Sequence, residues 1–484
     1  MGGKNLIKET LSQKLLAIDC GLTNCKMILF DTAGMCLGQE SFRTPLHDIW
    51  IDTRSLRRQI ENGIAKLLQK SGSRGEEIAA IGLSGHGNGA YFICRDSEDD
   101  FAVSSMFTGN DDHIPSTEQV FPITGQTSWS GQPLSVISWV KRTDPKRLEK
   151  TVKIVFCKDY IRYILTGEMC TEWSDASAGG LLDVTTDGYS RELLKLYGLS
   201  GYDFLLPGIG ESAESLGGVS GSFAWKSGLK AGTPVIGGLF DVDSCMVGTG
   251  VIKSGCYSIT AGTWGINAAV TDKRVFSQKI TQCCFFLKRG EYVCVDSAPT
   301  SCSNLMTEEV LKLRRGIPFE EVNAGIRRTT VDQNLLFLPY AYQPMDLKEI
   351  QGGFVGRRAE HTWEDCMRSV YEGIVFEHAR RIQKLRDAGI CNCIASMSGG
   401  GAGSETLVQM LADVTGLTIK VSCEPECGAL GGAIGASAAA GLYKNVEEAA
   451  TVMVREKLRY EPEYNPELAE KYQRFMEYID SYMK

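Results

Sequence analysis

Near its middle the chain reads Val235-Ile236-Gly237-Gly238-Leu239-Phe240-Asp241-Val242-Asp243-Ser244. The β-branched start of this segment predicts a short buried strand, and the two glycines allow backbone or a ligand to approach closely. Asp241 follows the end of the strand, which is where ligands bind in α/β sheets. An ordinary strand-to-helix loop with Asp241 as the helix N-cap is the alternative that this segment alone leaves open.

Length and charge limit the classes of protein to which the chain can belong. With 484 residues it is too long for a single core, which predicts two domains. Its net charge of −8 argues against nucleic acid and against an anionic membrane surface as partners. No apolar run approaches the roughly 18 residues that a membrane span needs, and Met1 to Lys14 is polar, unlike a signal peptide.

The chain has 17 cysteines, which are spread through apolar segments where a reduced thiol behaves as a small hydrophobic side chain. Cys283-Cys284 and Cys391-Asn392-Cys393 lack the spacing of a zinc site, and only five histidines are present. We therefore predict a cytoplasmic protein with reduced thiols, no structural metal and no disulfide framework.

The chain begins with a predicted β-hairpin, in which Leu15 to Asp19 forms one strand and Met27 to Phe30 the next. Amides near Gly21 can surround phosphate oxygens, Lys26 can neutralise them, and Asp19 can hold Mg²⁺ through water. A polar hairpin without a ligand is the alternative. The hairpin residues that can contact phosphate or metal are Asp19, Gly21, Thr23, Asn24 and Lys26.

A second glycine-rich loop, Gly85 to Ala90, follows a predicted strand and has the spacing Gly-x-Gly-x-x-Ala of dinucleotide-binding proteins. That site requires a helix next, but Tyr91 to Cys94 predicts another strand, so we reject it. Because the loop carries His86 and Asn88, it suits a pocket for a polyol.

The hairpin pattern returns after residue 250, where Tyr257 to Thr260 predicts a strand, Ala261 to Gly265 a turn and Ile266 to Val270 a second strand. This weak internal repeat lies where a second domain of the same type would begin.

A glycine loop near the C-terminus predicts a nucleotide site. Ile394 to Met397 predicts a strand, Ser398 to Gly403 is the loop, and Glu405 to Thr415 predicts a helix with Ser404 as its N-cap. A strand, a glycine loop and a helix N-terminus together suit a flat ring against bare backbone, with amides near phosphate. A flexible connector is the alternative.

Together these segments resemble the FGGY family of carbohydrate kinases, within the actin/hexokinase/Hsp70 superfamily. The resemblance rests on four motifs, which are found here at Asp19-x-Gly21-x-Thr23-x-x-Lys26, at Lys158 to Gly167 followed by Ser174 to Ser177, at Gly237-Gly238-x-x-Asp241, and at Gly399 to Gly416. It extends over nearly the whole chain, from about Leu15 to Tyr443.

The resemblance implies an α/β chain of two ribonuclease-H-like domains, of the actin/hexokinase-like ATPase type, with the active site in a cleft between them. Residues 1–251 would bind the sugar and carry the first phosphate motif and the catalytic base, and residues 252–484 would bind the adenine nucleotide. The cofactors would be ATP and Mg²⁺. The sequence does not choose between a monomer and a homodimer.

The resemblance also implies roles for individual residues. Asp241 would be the catalytic base, and Asp19 would hold Mg²⁺. The residues that would contact ATP are Gly21, Thr23, Asn24, Lys26, Gly262, Thr263, Gly399, Gly400, Gly401 and Ser404. Those that would contact the sugar are His86, Asn88, Asp111 and Asp241.

Within the family, Gly237 to Ser244 and Ala298 to Leu305 look like the branch that acts on L-xylulose. The expected reaction is transfer of the ATP γ-phosphate to a terminal hydroxyl of L-xylulose or a related L-ketose or keto acid. D-xylulose, ribulose, erythritol or another polyol are alternative substrates, because the loops Pro45–Trp50 and Thr108–His113 depart from the family pattern. A non-catalytic sugar sensor and an actin- or chaperone-like ATPase with protein partners are the alternative classes.

Overall fold

The computed structural model describes residues 13–342, 344, 346–347 and 350–482. The first twelve residues of the polar segment from Met1 to Lys14 lie outside that part of the chain. Within it, no helix is both long and apolar enough to cross a membrane.

Twenty-five strands occur in the described residues. In chain order, β1 to β25 are Lys14–Cys20, Asn24–Asp31, Cys36–Arg43, Leu46–His47, Trp50–Ile51, Ile78–Gly85, Ala90–Cys94, Phe101–Val103, Thr151–Val155, Cys170–Glu172, Leu182–Asp183, Gly188–Tyr189, Gly208–Gly210, Ser215–Gly218, Pro234–Ile236, Leu239–Phe240, Tyr257–Ala261, Gly265–Thr271, Gln282–Phe285, Tyr292–Ala298, Leu336–Leu338, Gly353–Val355, Ile394–Ser398, Thr418–Ser422 and Glu456–Tyr460.

Sixteen α-helices occur in the same residues. In chain order, α1 to α16 are Thr53–Ser71, Thr117–Thr124, Pro133–Thr143, Pro145–Glu149, Cys157–Thr166, Trp173–Ala178, Arg191–Leu196, Gly221–Ser227, Asp241–Gly248, Glu308–Arg314, Phe319–Ile326, Trp363–Asp387, Glu405–Thr415, Cys427–Ala439, Val446–Met453 and Pro466–Tyr482. Short 3₁₀ helices lie at Ser97–Asp99, Asp111–His113, Asp203–Leu205, Cys302–Met306 and Gly400–Gly403.

The chain forms two compact units. Unit 1 comprises Met1–Ser116, Ser128–Ser244 and Gly428–Met453, and unit 2 comprises Thr117–Thr127, Cys245–Cys427 and Val454–Lys484. The chain therefore returns to unit 1 for α14 and α15. The predicted domain boundaries, 1–251 and 252–484, follow from the resemblance to the family, and they stay a prediction.

The main sheet of unit 1 has the strand order β14-β15-β6-β1-β2-β3, and β16 also pairs with β6. Strands β1, β2 and β3 form an antiparallel meander, whereas β6 runs parallel to β1. The residues Leu15 to Ile18 of β1 have no exposed surface, as expected for a central strand that is covered on both faces. Helix α1 buries Leu56, Ile60 and Ile64 at helical spacing.

The main sheet of unit 2 has the order β19-β20-β18-β17-β23-β24-β25. Here β17, β18 and β20 form the antiparallel meander, and β23 runs parallel to β17. The 25-residue helix α12 contributes much of the core, including Val370, Ile374 and Phe376. The meander followed by a parallel strand repeats the pattern of unit 1, which confirms the predicted internal repeat after residue 250.

Candidate active site

The hairpin between β1 and β2 has its tip at the surface of unit 1. The Gly21 amide donates a hydrogen bond to the Asn24 carbonyl at 3.0 Å, and the Thr44 hydroxyl donates to the Gly21 carbonyl at 2.7 Å. These bonds hold the turn, while Thr23 and Asn24 stay exposed. The tip therefore has the backbone shape and the accessible polar groups that a phosphate-binding turn requires.

Asp19 lies one residue before the end of β1, next to the start of helix α14. A Cβ atom added to Gly428 would lie 2.7 Å from Asp19 Oδ2, so the first turn of α14 approaches this carboxylate more closely than a larger residue would allow. The N-terminal end of a helix carries partial positive charge and favours an anion. In the β1–β2 register Asp19 also lies opposite Lys26. Asp19 therefore lies between a lysine on the neighbouring strand and the start of a helix.

Asp241 follows strand β16, as predicted, and begins helix α9. Strand β16 is only two residues long and pairs with β6 through Leu239–Ser84 and Phe240–Gly85. The preceding Gly238 has φ of 88°, and a Cβ atom there would lie 2.9 Å from the Leu83 carbonyl oxygen. Glycine is therefore required at this position for the chain to turn and place Asp241 at the sheet end.

The Asp241 carboxyl group is half-buried and accepts hydrogen bonds from the backbone amides of Val242, at 2.8 Å, and Gly87. Burial and the nearby Asp19 carboxylate raise the pKa of Asp241 to about 7, although the two amides oppose the shift. A carboxyl group whose pKa lies near neutral pH is well suited to accept a proton.

The loop between β6 and β7 brings Asn88 next to this carboxyl group. Gly87 donates to Asp241, and Asn88 follows it with φ of 59°, a left-handed backbone conformation that asparagine adopts more readily than most residues with a side chain. Its Oδ1 atom is buried and has no hydrogen-bond partner among the described residues. A buried polar atom without a partner needs an explanation, and a bound ligand that donates a hydrogen bond to it is one. Strand β7 follows the loop, which confirms that this is no dinucleotide-binding motif.

His86, in the same loop, faces the core instead. Its side chain is 3% exposed, and Nε2 lies 2.9 Å from the Tyr91 hydroxyl group. The prediction that His86 contacts the sugar therefore has less support than the same prediction for Asn88.

Asp111 is exposed and begins a short 3₁₀ helix. The Ser130 hydroxyl donates a hydrogen bond to Asp111 Oδ1. The neighbouring Asn110 is buried, donates to the Ser135 carbonyl at 3.0 Å and accepts from Arg142 at 2.8 Å. The loop is thus anchored through Asn110, while Asp111 keeps an accessible carboxylate.

In unit 2, the turn that holds Gly262 and Thr263 packs against the glycine loop that follows β23. A Cβ atom on Gly399, which has φ of 84°, would lie 2.7 Å from the Ala261 carbonyl oxygen, and one on Gly401 would lie 2.8 Å from Ala261 Cβ. A Cβ atom on Gly400 would meet nothing within 4 Å. Gly399 and Gly401 therefore allow close packing, and Gly400 faces open space that a ligand can occupy.

The glycine loop ends at Ser404, which caps α13 as predicted. The Leu407 amide donates to Ser404 Oγ at 3.3 Å, and Ser404 Oγ donates to Asn323 Oδ1 at 2.9 Å. The hydroxyl group is therefore used within the protein, and a contact with nucleotide would fall to the neighbouring backbone.

A buried Ser301–His378–Asn267 chain, which motif analysis did not find, supports the Thr263 turn. His378 Nδ1 lies 3.0 Å from Asn267 Oδ1, so Nε2 accepts from the Ser301 hydroxyl group at 2.8 Å. The Ser301 amide in turn donates to the Thr263 carbonyl at 3.0 Å. Burial lowers the pKa of His378 to about 4, which keeps it neutral and able to accept this bond.

Unit 1 contains a second group, here called the buried charge cluster, in which charged residues of the Lys158–Gly167 and Ser174–Ser177 motif meet Glu172 and Asp243. All six of its members are 0% exposed. They are Lys158, Asp159, Arg162, Glu172, Asp175 and Asp243. Four carboxyl groups share two cations, so full ionisation would leave uncompensated negative charge in the core. Burial accordingly raises the pKa values of Asp175 and Asp243 well above their usual range.

We expect Asp243→Asn to raise thermal stability at neutral pH. Neither carboxylate oxygen of Asp243 has a hydrogen-bond partner among the described residues, and burial, followed by the Glu172, Asp175 and Asp241 carboxylates, raises its pKa. Between the unfolded-state pKa of about 4 and the raised folded-state pKa, Asp243 is protonated in the folded protein but ionised in the unfolded chain, so this group lowers stability as the pH rises through that range. Asparagine has nearly the same shape and does not ionise.

Melting curves of Asp243→Asn and wild type between pH 4 and 8 test this expectation. The variant's midpoint should be higher by about 2–4 °C at pH 7.5, the shift that about 1 kcal/mol produces in a mid-sized domain, and the difference should vanish near pH 4. A difference that grows as the pH falls would contradict a protonated Asp243.

Comparison with known proteins identifies the family. Sequence profiles for the FGGY family of carbohydrate kinases match this chain, the N-terminal domain over residues 14–248 and the C-terminal domain over residues 324–440. The chain belongs to this family. It is therefore a sugar kinase, and its phosphate donor is ATP.

Individual relatives cover nearly the whole chain. The L-xylulose/3-keto-L-gulonate kinase of Escherichia coli (strain K12) is 31% identical over 91% of this chain and 91% of its own length. The xylulose kinase of Bacillus subtilis (strain 168) is 27% identical over 93% of this chain and 92% of its own length. A solved xylulose kinase from Rhodospirillum rubrum has a TM-score of 0.83 at 20% identity and covers 97% of this chain and 98% of its own. These matches confirm the predicted two-domain α/β fold.

Proposed function

We propose that this FGGY kinase transfers the γ-phosphate of ATP to a terminal hydroxyl group of L-xylulose or of a related L-ketose or keto acid. The observation that carries the proposal is the Asp241 carboxyl group, with its pKa near 7, at the end of β16 next to the Asn88 loop. The 31% identity with a kinase named for L-xylulose and 3-keto-L-gulonate supports the substrate class.

Asp241 is the proposed general base. A sugar hydroxyl hardly ionises at pH 7, so a positioned carboxylate that accepts its proton is worth about 10²–10⁴ in rate. The hydroxyl oxygen attacks the γ-phosphorus as its proton passes to Asp241, and the bond to the β–γ bridging oxygen breaks to release ADP. The amides of Gly87 and Val242 orient the carboxylate for this transfer.

We assign the phosphates to the two turns at the ends of the meanders. The first turn contains Gly21, Thr23, Asn24 and Lys26. The second turn contains Gly262 and Thr263. Thr23 and Thr263 are both exposed, so their hydroxyl groups are accessible. The backbone carbonyl group of each accepts a hydrogen bond from another part of its own unit, which holds the turn in place. We assign the adenine to the loop from Gly399 to Gly401 and Ser404, where the space in front of Gly400 is open. Positioning and charge neutralisation supply most of the catalysis of phosphoryl transfer.

Asp19 is the proposed Mg²⁺ ligand. Mg²⁺ takes one or two carboxylates with water and substrate phosphates, and does not need an all-protein cage. The Asp19 carboxylate suits this role because it lies one residue before the end of β1, beside the turn that we assign to the phosphates. When bound, Mg²⁺ neutralises charge on the phosphates.

For the sugar we propose Asn88 and Asp111 as hydrogen-bonding residues, together with Asp241. The buried Oδ1 of Asn88 can accept a hydrogen bond from a sugar hydroxyl, and so can the accessible carboxylate of Asp111. His86 was predicted beside them, but its side chain faces Tyr91, so we give it a supporting role in the loop.

We assign sugar binding and the base to residues 1–251 and adenine binding to residues 252–484. The 17 cysteines, which are spread through apolar segments, suit a reducing cytoplasm. A homodimer and a monomer are both compatible with this function.

A side-by-side assay of ADP release tests the substrate class. We expect L-xylulose, or a close L-keto analogue, to show kcat/KM at least about tenfold higher than D-xylulose or glycerol. A pocket that hydrogen-bonds particular hydroxyl groups discriminates strongly, because a misplaced hydroxyl leaves buried polar groups unpaired.

The panel should include ribulose, erythritol and 3-keto-L-gulonate, with ATP hydrolysis in the absence of sugar as the background. A higher kcat/KM for D-xylulose or glycerol than for every L-ketose would reject the proposed substrate class. Membership of the kinase family would be unaffected.

A further inference from the structure

The backbone that leads to Asp241 has little support from its own sheet. Strand β16 contains only Leu239 and Phe240, so few ladder hydrogen bonds hold it. The Phe240 amide donates instead to the side chain of Ser174, at 3.0 Å. The residue directly before Asp241 is therefore held by a hydroxyl group from helix α6.

Further bonds from the same region hold the two glycines of this segment. Arg162 Nη1 donates to the Gly237 carbonyl at 2.6 Å, and the Gly238 amide donates to the Ser212 carbonyl at 2.9 Å. Every one of these partners belongs to, or directly contacts, the buried charge cluster.

Glu172 connects Ser174 to that cluster. Its Oε1 accepts from the Ser174 hydroxyl group at 2.7 Å and from the Asp175 amide at 2.9 Å, while Oε2 accepts from the Ser174 amide at 2.7 Å. The Ser212 hydroxyl group also donates to Oε2. Because both oxygens are used, Glu172 fixes the rotamer of Ser174 as well as the first turn of α6.

Lys158 holds Glu172 from the other side. Its Nζ atom lies 3.0 Å from Glu172 Oε1, 3.0 Å from Asp175 Oδ2 and 2.8 Å from Asp159 Oδ1, and its side chain is fully buried. A cation without access to solvent is costly unless several carboxylates surround it, so this arrangement has little freedom to move. The lysine stem also lies against Gly238, where an added Cβ atom would be 2.9 Å from Lys158 Cδ.

We propose that Ser174, Glu172 and Lys158 are positioning residues for the catalytic base. They form a continuous chain, Lys158–Glu172–Ser174–Phe240, that ends one peptide bond before Asp241. The inference rests on the proposed role of Asp241 and adds the residues through which the fold sets its position. The reaction is sensitive to such residues, because a displacement of about 1 Å in a reacting group can cost about 10²-fold in rate.

The variant Ser174→Ala tests the proposal, because it removes the acceptor of the Phe240 amide without changing a charge. We expect kcat to fall about tenfold, while KM for the sugar and KM for ATP each change less than about twofold. A residue that only stabilises the fold would lower the melting temperature without this separation of kcat from KM.

Ser227→Ala is the matched control. Ser227 is also a fully buried serine of unit 1, and its hydroxyl group donates to the Phe223 carbonyl at 2.8 Å and accepts from the Leu229 amide at 3.3 Å. Both variants lose two hydrogen bonds of one hydroxyl group, but only Ser174 contacts the segment before Asp241. An equal loss of kcat in both variants, or an unchanged kcat in Ser174→Ala, would overturn the proposal.

Two further variants keep the test decisive. If Ser174→Ala does not fold, Ser212→Ala replaces it, because it removes a hydroxyl partner of Glu172 but leaves the Ser212 carbonyl group bonded to Gly238. We expect a loss of kcat of about threefold with unchanged KM values, and an unchanged kcat would reject the proposal. Asp241→Asn is measured in parallel, so that an active Asp241→Asn enzyme rejects the proposed base, whereas an inactive one beside a fully active Ser174→Ala rejects only the positioning chain.

Discussion

Asp241→Asn is expected to lower kcat by at least about 10²-fold while the KM for the sugar changes little. Asparagine has the shape of the carboxyl group and can keep its place beside Gly87 and Val242, but it cannot accept a proton from the sugar hydroxyl. The loss should therefore appear in the chemical step and not in substrate binding. Steady-state kinetics with saturating ATP, together with sugar binding by calorimetry, measure the two effects separately.

Asp243→Asn is the matched control for this experiment, since it makes the same substitution two residues further along α9. Asp243 is completely buried, so a sugar hydroxyl group cannot reach its carboxyl group in the folded protein. We expect its kcat to stay within about threefold of wild type. Near-normal turnover by Asp241→Asn, or a larger loss in Asp243→Asn, would place the base elsewhere.

Gly400→Val is expected to raise the KM for ATP at least about tenfold and to leave the KM for the sugar nearly unchanged. An added Cβ atom at Gly400 meets no protein atom within 4 Å, so the valine side chain can be accommodated by the fold and would extend into the space that we assign to the adenine or ribose. The effect follows from steric exclusion of the nucleotide and should also weaken ADP binding.

Gly208→Val provides the control, because Gly208 is an exposed glycine of unit 1 with nothing within 4 Å of an added Cβ atom. It should leave both KM values unchanged. If Gly400→Val raised both KM values equally, the loop would be a packing element and the adenine would have to bind elsewhere.

Local structure could be predicted from the sequence because it depends on residues that are close together in the chain. The hairpin after Asp19, the helix cap at Ser404 and the strand that follows Gly89 all occur where predicted. The rejection of a dinucleotide site at Gly85 to Ala90 also depended only on whether a strand or a helix came next. The signals for these elements are apolar spacing, turn residues and capping groups. Each acts over a few residues, so the elements can be predicted without knowledge of the tertiary structure.

The direction in which each residue of the glycine loop faces could not be predicted from the sequence. Gly399, Gly400 and Gly401 are equivalent in the sequence, yet two of them pack against Ala261 and only Gly400 faces open space. In the same way His86 and Asn88 are two residues apart in one loop, but His86 is 3% exposed and lies beside Tyr91 in the core, whereas Asn88 is half-buried. The direction of each side chain depends on what the rest of unit 1 or unit 2 places beside it.

By itself the sequence determined the family, the order of the strands and helices around each motif, and the placement of Asp241 after a strand. The tertiary structure alone decided which charges are buried together and which groups titrate near neutral pH. Ser174 meets Phe240 across 66 residues of chain, and Gly428 meets Asp19 from near the opposite end of unit 1. Hydrogen bonds, desolvation and Coulomb interactions depend on distance in space, which the order of residues along the chain does not contain.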